Sequence, residues 1–166
     1  MSAENSKGAD ILRWWVLNLA DRQSGRARAL SARLRRARGG DALTEPEVHD
    51  LARTLGMTDG ARLALLVRLL AQVKEHVPQS LARRLGGNPP VLSTLRFQRL
   101  MRAEGDELPE ALRRAITMAE GRCNVASLGL DILYWGEAVR ARWCFHYFGA
   151  EAPSHTDGEA AEEISE

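Results

Sequence analysis

The sequence predicts an all-α protein: a two-lobed helical bundle of about eight to nine helices, followed by an acidic C-terminal tail. Three observations point there. Apolar residues recur at helical spacing almost throughout, no stretch alternates convincingly with period two, and the joints between periodic runs are short. At 166 residues and 45% hydrophobic, the chain can bury a sizeable interior, as one domain or as two small lobes sharing a core.

The first helix is expected from Asp10 to Ala20. It is apolar on most faces (Ile11, Leu12, Trp14, Trp15, Leu17, Leu19), which predicts deep burial. Trp14 and Trp15 are consecutive and cannot share one face, so one of them is a candidate to meet a partner subunit. The second helix starts near Ser24 and stops at Gly39-Gly40, where left-handed conformations cost little. A third opens with Thr44-Glu45-Pro46-Glu47, where Thr44 and Glu47 can form a capping box and proline suits the first turn. Asp59 can cap a fourth, from Ala61 to about Val77, ended by Pro78. A short helix follows at Ser80 to Leu85. The run Gly86-Gly87-Asn88-Pro89-Pro90 then breaks the chain and divides an N-terminal lobe, 1–88, from a C-terminal lobe, 89–149. Four further helices are expected at Ser93–Ala103, Leu108–Glu120, Asn124–Trp135 and Glu137–Phe148. Residues 150–166 mix Pro, Ser, Gly and acids without periodicity and read as a disordered tail.

The formal net charge of +1 conceals a basic body joined to that tail. Glu151 to Glu166 holds six acidic residues and no Lys or Arg, so residues 1–150 carry 23 basic against 16 acidic residues, about +7. Arg outnumbers Lys by 21 to two, which a GC-rich genome explains; clustering it does not explain. Seven arginines fall in one run: Arg22, Arg26, Arg28, Arg33, Arg35, Arg36 and Arg38. Clustered Arg on a compact body suits a polyanion, nucleic acid first.

Other classes fare worse. No apolar run reaches the roughly 18–20 residues of a membrane span, and MSAENSKGAD lacks the features of a secretory signal. Two cysteines, Cys123 and Cys144, make no disulfide framework, and a reduced cytoplasmic setting is expected. His49, His76, His146 and His155 have no metal-ligand spacing to one another or to Cys. No phosphate-binding glycine loop or nucleophile-elbow motif is present, and Glu104, Asp106 and Glu107 fit helix capping better than acid–base work. The chain is expected to bind rather than catalyse, with no metal and no cofactor.

Two arginine surfaces are expected. In the second helix Arg26, Arg33 and Arg36 flank an apolar stripe of Ala27, Leu30, Leu34 and Ala37. In LRFQRLMRA, Arg96, Arg99 and Arg102 are spaced by three, opposite Phe97, Leu100 and Met101; Arg83-Arg84 precede that helix and Arg113-Arg114 follow it. Such tracks neutralise phosphates and carry little sequence preference. Trp14, Trp15, Tyr134, Trp135, Trp143 and Tyr147 could stack on bases, but lie in the most apolar helices, where core packing is the expectation.

The order RFQRLMRAEGDELPEALRRAITMA, a spacer, then LGLDILYWGEAVRARWCFHYF resembles the CasB family, the small helical subunit of the type I-E CRISPR Cascade surveillance complex. The matching positions are Arg96-Phe97 with Leu100; Leu108 through Leu112-Arg113-Arg114; Leu130-Asp131 through Trp135; and Arg140 through Trp143. The first half matches more loosely, through Trp14 or Trp15, SARLRRARGG with Arg33, Arg35 and Arg36, and SLARRL. The acidic extension after Gly149 is not part of the pattern. The resemblance implies a non-enzymatic, two-lobed ribonucleoprotein subunit of antiviral defence. Its implied partners are the backbone and large Cascade subunits with their guide RNA, a second copy of itself, and target DNA, above all the displaced strand of the R-loop. Carried over by position, Arg35, Arg36, Arg62, Arg96, Arg99 and Arg102 become the leading phosphate contacts, with Arg33, Arg83, Arg84, Arg113 and Arg114 behind them.

Two rivals stand beside this reading. One is a helical adaptor whose arginines meet an acidic protein. The other is a helix-turn-helix regulator, for which Arg96-Phe97-Gln98-Arg99 comes nearest to a recognition helix but Gly86–Pro90 makes a poor turn. The acidic tail either solubilises the chain or screens the arginine track before assembly.

Overall fold

The computed structural model describes residues 3–149; the expected acidic tail lies outside the described residues. Among them are nine α-helices, as the periodicity predicts, and one feature it does not, a two-residue parallel strand pair.

Helix α1 (Ala3–Trp15) begins seven residues before the expected start and opens into a π-helical turn at Val16–Ala20. Tertiary packing extends it: Gly8 lies so close to Leu130 that an added Cβ would come within 3.1 Å of it, and Lys7 Nζ donates to the Tyr134 hydroxyl at 3.2 Å. Expected burial all round does not hold. Ile11, Trp14, Trp15 and Leu19 are buried, whereas Val16 and Leu17 face solvent. Both tryptophans are internal, which removes either as a partner contact. The rings diverge by one helical step, and Trp14 Nε1 donates to Glu47 O at 2.8 Å while Trp15 Nε1 donates to Leu70 O at 3.2 Å.

Helix α2 (Gly25–Arg36) is capped by Ser24, whose Oγ accepts from Ala27 N–H, and buries Ala27, Leu30 and Leu34. It ends three residues before Gly39, where Ala37 turns extended, and a 3₁₀ turn follows at Asp41–Thr44. Helix α3 (Pro46–Leu55) has Pro46 in its first turn, but the capping box is absent. Thr44 Oγ1 instead donates to Asp41 O at 2.8 Å, which holds it in the 3₁₀ turn and leaves Glu45 at the N-cap.

Asp59 caps α4 (Gly60–Leu70) through Arg62 N–H, as expected, but the helix stops well short of Val77. The N–H groups of Lys74 and Glu75 donate to Gly121 O at 2.7 and 3.1 Å, so β1 (Glu75–His76) leaves the helical path. It pairs in parallel with β2 (Arg122–Cys123), Glu75 opposite Arg122. Serine and asparagine caps then start three helices in turn: Ser80 before α5 (Leu81–Leu85), Ser93 before α6 (Thr94–Arg102) and Asn124 before α8 (Val125–Leu133). Helices α7 (Glu107–Met118) and α9 (Glu137–Tyr147) complete the fold.

The buried apolar side chains form one contiguous cluster running from Ile11 to Tyr147. Helices from the two halves of the chain meet in it, α1 and α4 against α8, α5 against α9. Gly86 is needed for the last contact, since a Cβ there would lie 2.1 Å from Tyr147 O. Phe97 of α6 stacks on Tyr147 at 3.9 Å, fixing α6 to the end of α9. Asp131, buried in α8, accepts from Arg142 Nη1 and Trp143 Nε1, both at 2.7 Å, and so locks α8 to α9.

Candidate nucleic-acid interface

Helix α6 is strongly amphipathic because its apolar and basic residues interleave at helical spacing. Phe97 and Leu100 point into the core, which turns Arg96, Arg99 and Arg102 to the outside. The three guanidinium groups make no hydrogen bond or ion pair among the described residues. Each third residue advances about 4.5 Å along the axis, so the charges form a row rather than a point.

Helix α7 lies beside this row. Leu108, Leu112, Ala115 and Ile116 are buried, and Arg113 and Arg114 are exposed. Between α6 and α7 runs a groove of about 1080 Å³ whose walls include Arg96, Arg99, Arg102, Arg113 and Arg114. Asp106, Glu107 and Glu110 also line it, so five positive groups face three negative ones. Glu110 is engaged by its neighbours. Arg113 Nε donates to Oε2 at 3.0 Å and its Nη2 to Oε1, with Arg114 Nε 3.7 Å away. The Arg113 hydrogen bond holds the Glu110 carboxyl below the usual carboxylate range and raises Arg113 in return. Asp106 stands at the N-cap of α7 but makes no side-chain cap bond.

The second basic region lies at the end of α2. Arg35 Nη1 reaches Ala71 O at 3.5 Å; burial, then the charges of Arg22 and Arg36, lower its pKa. Those interactions place Arg22, Arg35 and Arg36 in one positive spot. Arg36 has no hydrogen-bond or ion-pair partner among the described residues. Arg33 is held differently, in a bidentate pair with Glu45 at 2.8 and 3.1 Å. Arg26 donates to Leu17 O and Asn18 Oδ1, and Arg28 to Arg22 O.

The remaining candidates sit at seams of the bundle. Arg62 Nη1 donates to Ile132 O at 3.1 Å, satisfying a carbonyl near the end of α8. Arg84 donates from Nε to Arg122 O at 3.0 Å and from Nη2 to Ala119 O at 3.4 Å, tying α5 to the exit from α7. Arg83 is half-buried in the same short helix. The structure therefore brings together Arg96, Arg99, Arg102 and Arg113 in one groove, and Arg35 with Arg36 in another spot. It leaves Arg33, Arg62 and Arg84 in intramolecular bonds. Arg22 was visible in the arginine run but had no sequence signal linking it to Arg35, which is 13 residues away.

Burial pushes the Cys123 thiol up to about 12, far from a reactive thiolate. No group of His, Cys, Asp or Glu among the described residues could hold a metal ion. Ser80 Oγ lies 3.1 Å from His146 Nδ1, but the same oxygen caps α5 by accepting from Arg83 N–H. No helix among the described residues is long and apolar enough to cross a membrane.

The family model for CRISPR-associated protein Cse2 matches residues 30–148, well over half of the chain. A protein of Thermus thermophilus described as CRISPR-associated protein Cse2 is 38% identical over 60 residues. That match covers 34% of this chain and 36% of the relative, so only about a third of the relative's length is spanned. No solved structure matches. Helical fold, residue order and family match agree: the chain belongs to the CRISPR-associated Cse2 family, also called CasB.

Proposed function

We propose that this chain is a non-enzymatic small subunit of a type I-E Cascade complex, and that it holds the displaced DNA strand and so stabilises the R-loop. The observation that carries the reading is the row of Arg96, Arg99 and Arg102, which make no hydrogen bond or ion pair among the described residues and share a groove with Arg113 and Arg114. Phosphate neutralisation by such a row needs no base contacts, which suits a strand whose sequence changes with each target. R-loop opening exchanges one duplex for another of similar stability, so a few backbone contacts tip the balance. Arg35 and Arg36 provide a second anchor. Arg33, Arg62 and Arg84 serve the fold, since their donors already meet Glu45 or backbone carbonyls. Partner subunits, guide RNA and a second copy of the chain complete the assembly.

The test is single-stranded DNA binding from low to physiological salt, alone and with the other Cascade subunits. Wild type is compared with the Arg35/Arg36 and the Arg96/Arg99/Arg102 alanine variants. A steep salt slope that flattens in both variants supports the reading. Unchanged retention by folded variants removes it, and loss of a protein partner instead favours the adaptor.

A further inference from the structure

A smaller hollow of about 350 Å³ lies near the first turn of α6. Asn88, Pro90, Thr94, Tyr147 and Phe148 contribute to its lining. Phe148 is 65% exposed, the second most exposed of the large apolar side chains among the described residues. Its ring is nevertheless held. It meets Tyr147 edge-on at 4.9 Å and Phe97 edge-on at 6.2 Å, and those two rings are themselves stacked. A fixed, exposed aromatic surface is a stacking platform.

The rest of the lining is polar. Asn88 is exposed, and its amide makes no hydrogen bond among the described residues; Thr94 carries a hydroxyl 3.5 Å from the Tyr147 hydroxyl. An apolar anchor from a protein partner would cover these groups without satisfying them. A nucleobase offers both a π face and edge donors and acceptors. Position favours it too: Tyr147, which lines the hollow, donates its hydroxyl to the carbonyl of Leu92, which lines the arginine groove.

We propose that this hollow receives an unpaired nucleobase, stacked on Phe148 and met at its edge by Asn88, from the strand whose phosphates lie along Arg96, Arg99 and Arg102. The inference rests on the groove reading above. Stacking tolerates every base, so the site adds affinity for unpaired strand over duplex without choosing a sequence.

The experiment uses the full chain, alone and assembled with its partner subunits. It compares a fluorescein-labelled oligothymidylate with an abasic sugar–phosphate strand of equal length. Wild type is expected to prefer the oligothymidylate. Phe148→Ala loses that preference, with about tenfold weaker binding of oligothymidylate, little change on the abasic strand and an unchanged salt slope; Phe148→Trp restores it. Circular dichroism confirms that the variants fold. Phe148→Ala that weakens neither strand, or both equally, overturns the base site, as does one that binds normally but fails to join a partner subunit. If the Arg96/Arg99/Arg102 variant holds both strands as tightly as wild type, the groove reading falls by itself. If it loses both while wild type never distinguishes them, the groove reading stands and the base site falls. Wild type that binds neither strand, alone or assembled, overturns both.

Discussion

Helix α2 and helix α6 are both rich in arginine, and they use it differently. Along α2, Arg26, Arg28 and Arg33 are tied to carbonyls or carboxylates, and Arg35 is partly drawn in against Ala71 O. Along α6, Arg96, Arg99 and Arg102 have no such partner among the described residues. The difference arises from what lies within reach. Helix α2 borders the π turn of α1 and α4 and reaches Glu45 at the start of α3, each offering oxygens to its arginines. Helix α6 is buried on one face only and opens onto a groove. Charge density in a sequence therefore overstates the charge available to a ligand, because guanidinium groups satisfy the fold's own carbonyls first.

The sharpest way to test that contrast is to remove the most buried arginine partner. Asp131→Ala strands Arg142 and the Trp143 N–H, and is expected to cost about 3 kcal/mol of stability in denaturant unfolding. This is the lower end of the buried-pair range because Arg142 still reaches solvent. Next in size, alanine at Arg96, Arg99 and Arg102 together should make the salt dependence of single-strand binding about two logarithmic units shallower. Binding falls most at the lowest salt, and stability should stay within about 0.5 kcal/mol of wild type.

Arg62→Ala should do the reverse, lowering stability by about 1–2 kcal/mol through the abandoned Ile132 carbonyl while leaving the salt slope unchanged. A shallower slope in that variant would break the division between internal and outward arginines. Within α2, Arg33→Ala should cost little stability, since its pair with Glu45 is half exposed, and Arg36→Ala should cost nothing measurable. Only Arg36→Ala should weaken DNA binding.

The smallest effect is one of sign with pH. Burial raises the Asp131 carboxyl, against the lowering by Arg142 and Trp143, whereas the Arg113 hydrogen bond lowers Glu110. A raised carboxyl binds its proton more tightly in the folded state. Asp131 therefore contributes stability that is full below its ordinary value of 3.8 and is lost as pH rises through the folded value. Glu110 contributes stability present above its ordinary 4.5 and lost as pH falls through its depressed value. Across roughly pH 3 to 6, wild type should lose stability relative to Asp131→Asn as pH rises, and gain it relative to Glu110→Gln. Thermal melts across that range read both.

Much of this molecule was legible from residue order. Asp59 marks a helix start that the structure reproduces, because a cap depends on three or four neighbouring residues, and the starts expected at Ser80 and Asn124 fall on residues that the structure shows to be caps. Thr44 misled although its partner is equally local, its hydroxyl being taken by Asp41 O three residues back. The end of α4 was equally hidden, since Gly121 O, remote in sequence, captures Lys74 and Glu75. At the candidate interface, the row on α6 could be read from a spacing of three. That Arg113 and Arg114 join it, and that Phe148 stands exposed near its first turn, could not.

The sequence by itself determined the helical class, the apolar stripes, the Asp59 cap and the family, all of which rest on local spacing and ordered motifs. Tertiary structure decided which arginines remain outward. A guanidinium of Arg62 or Arg84 is indistinguishable in sequence from one of Arg96 until distant segments bring Ile132, Ala119 or Arg122 carbonyls within hydrogen-bond reach. Those partners are 35 to 70 residues away along the chain, and only packing brings them together.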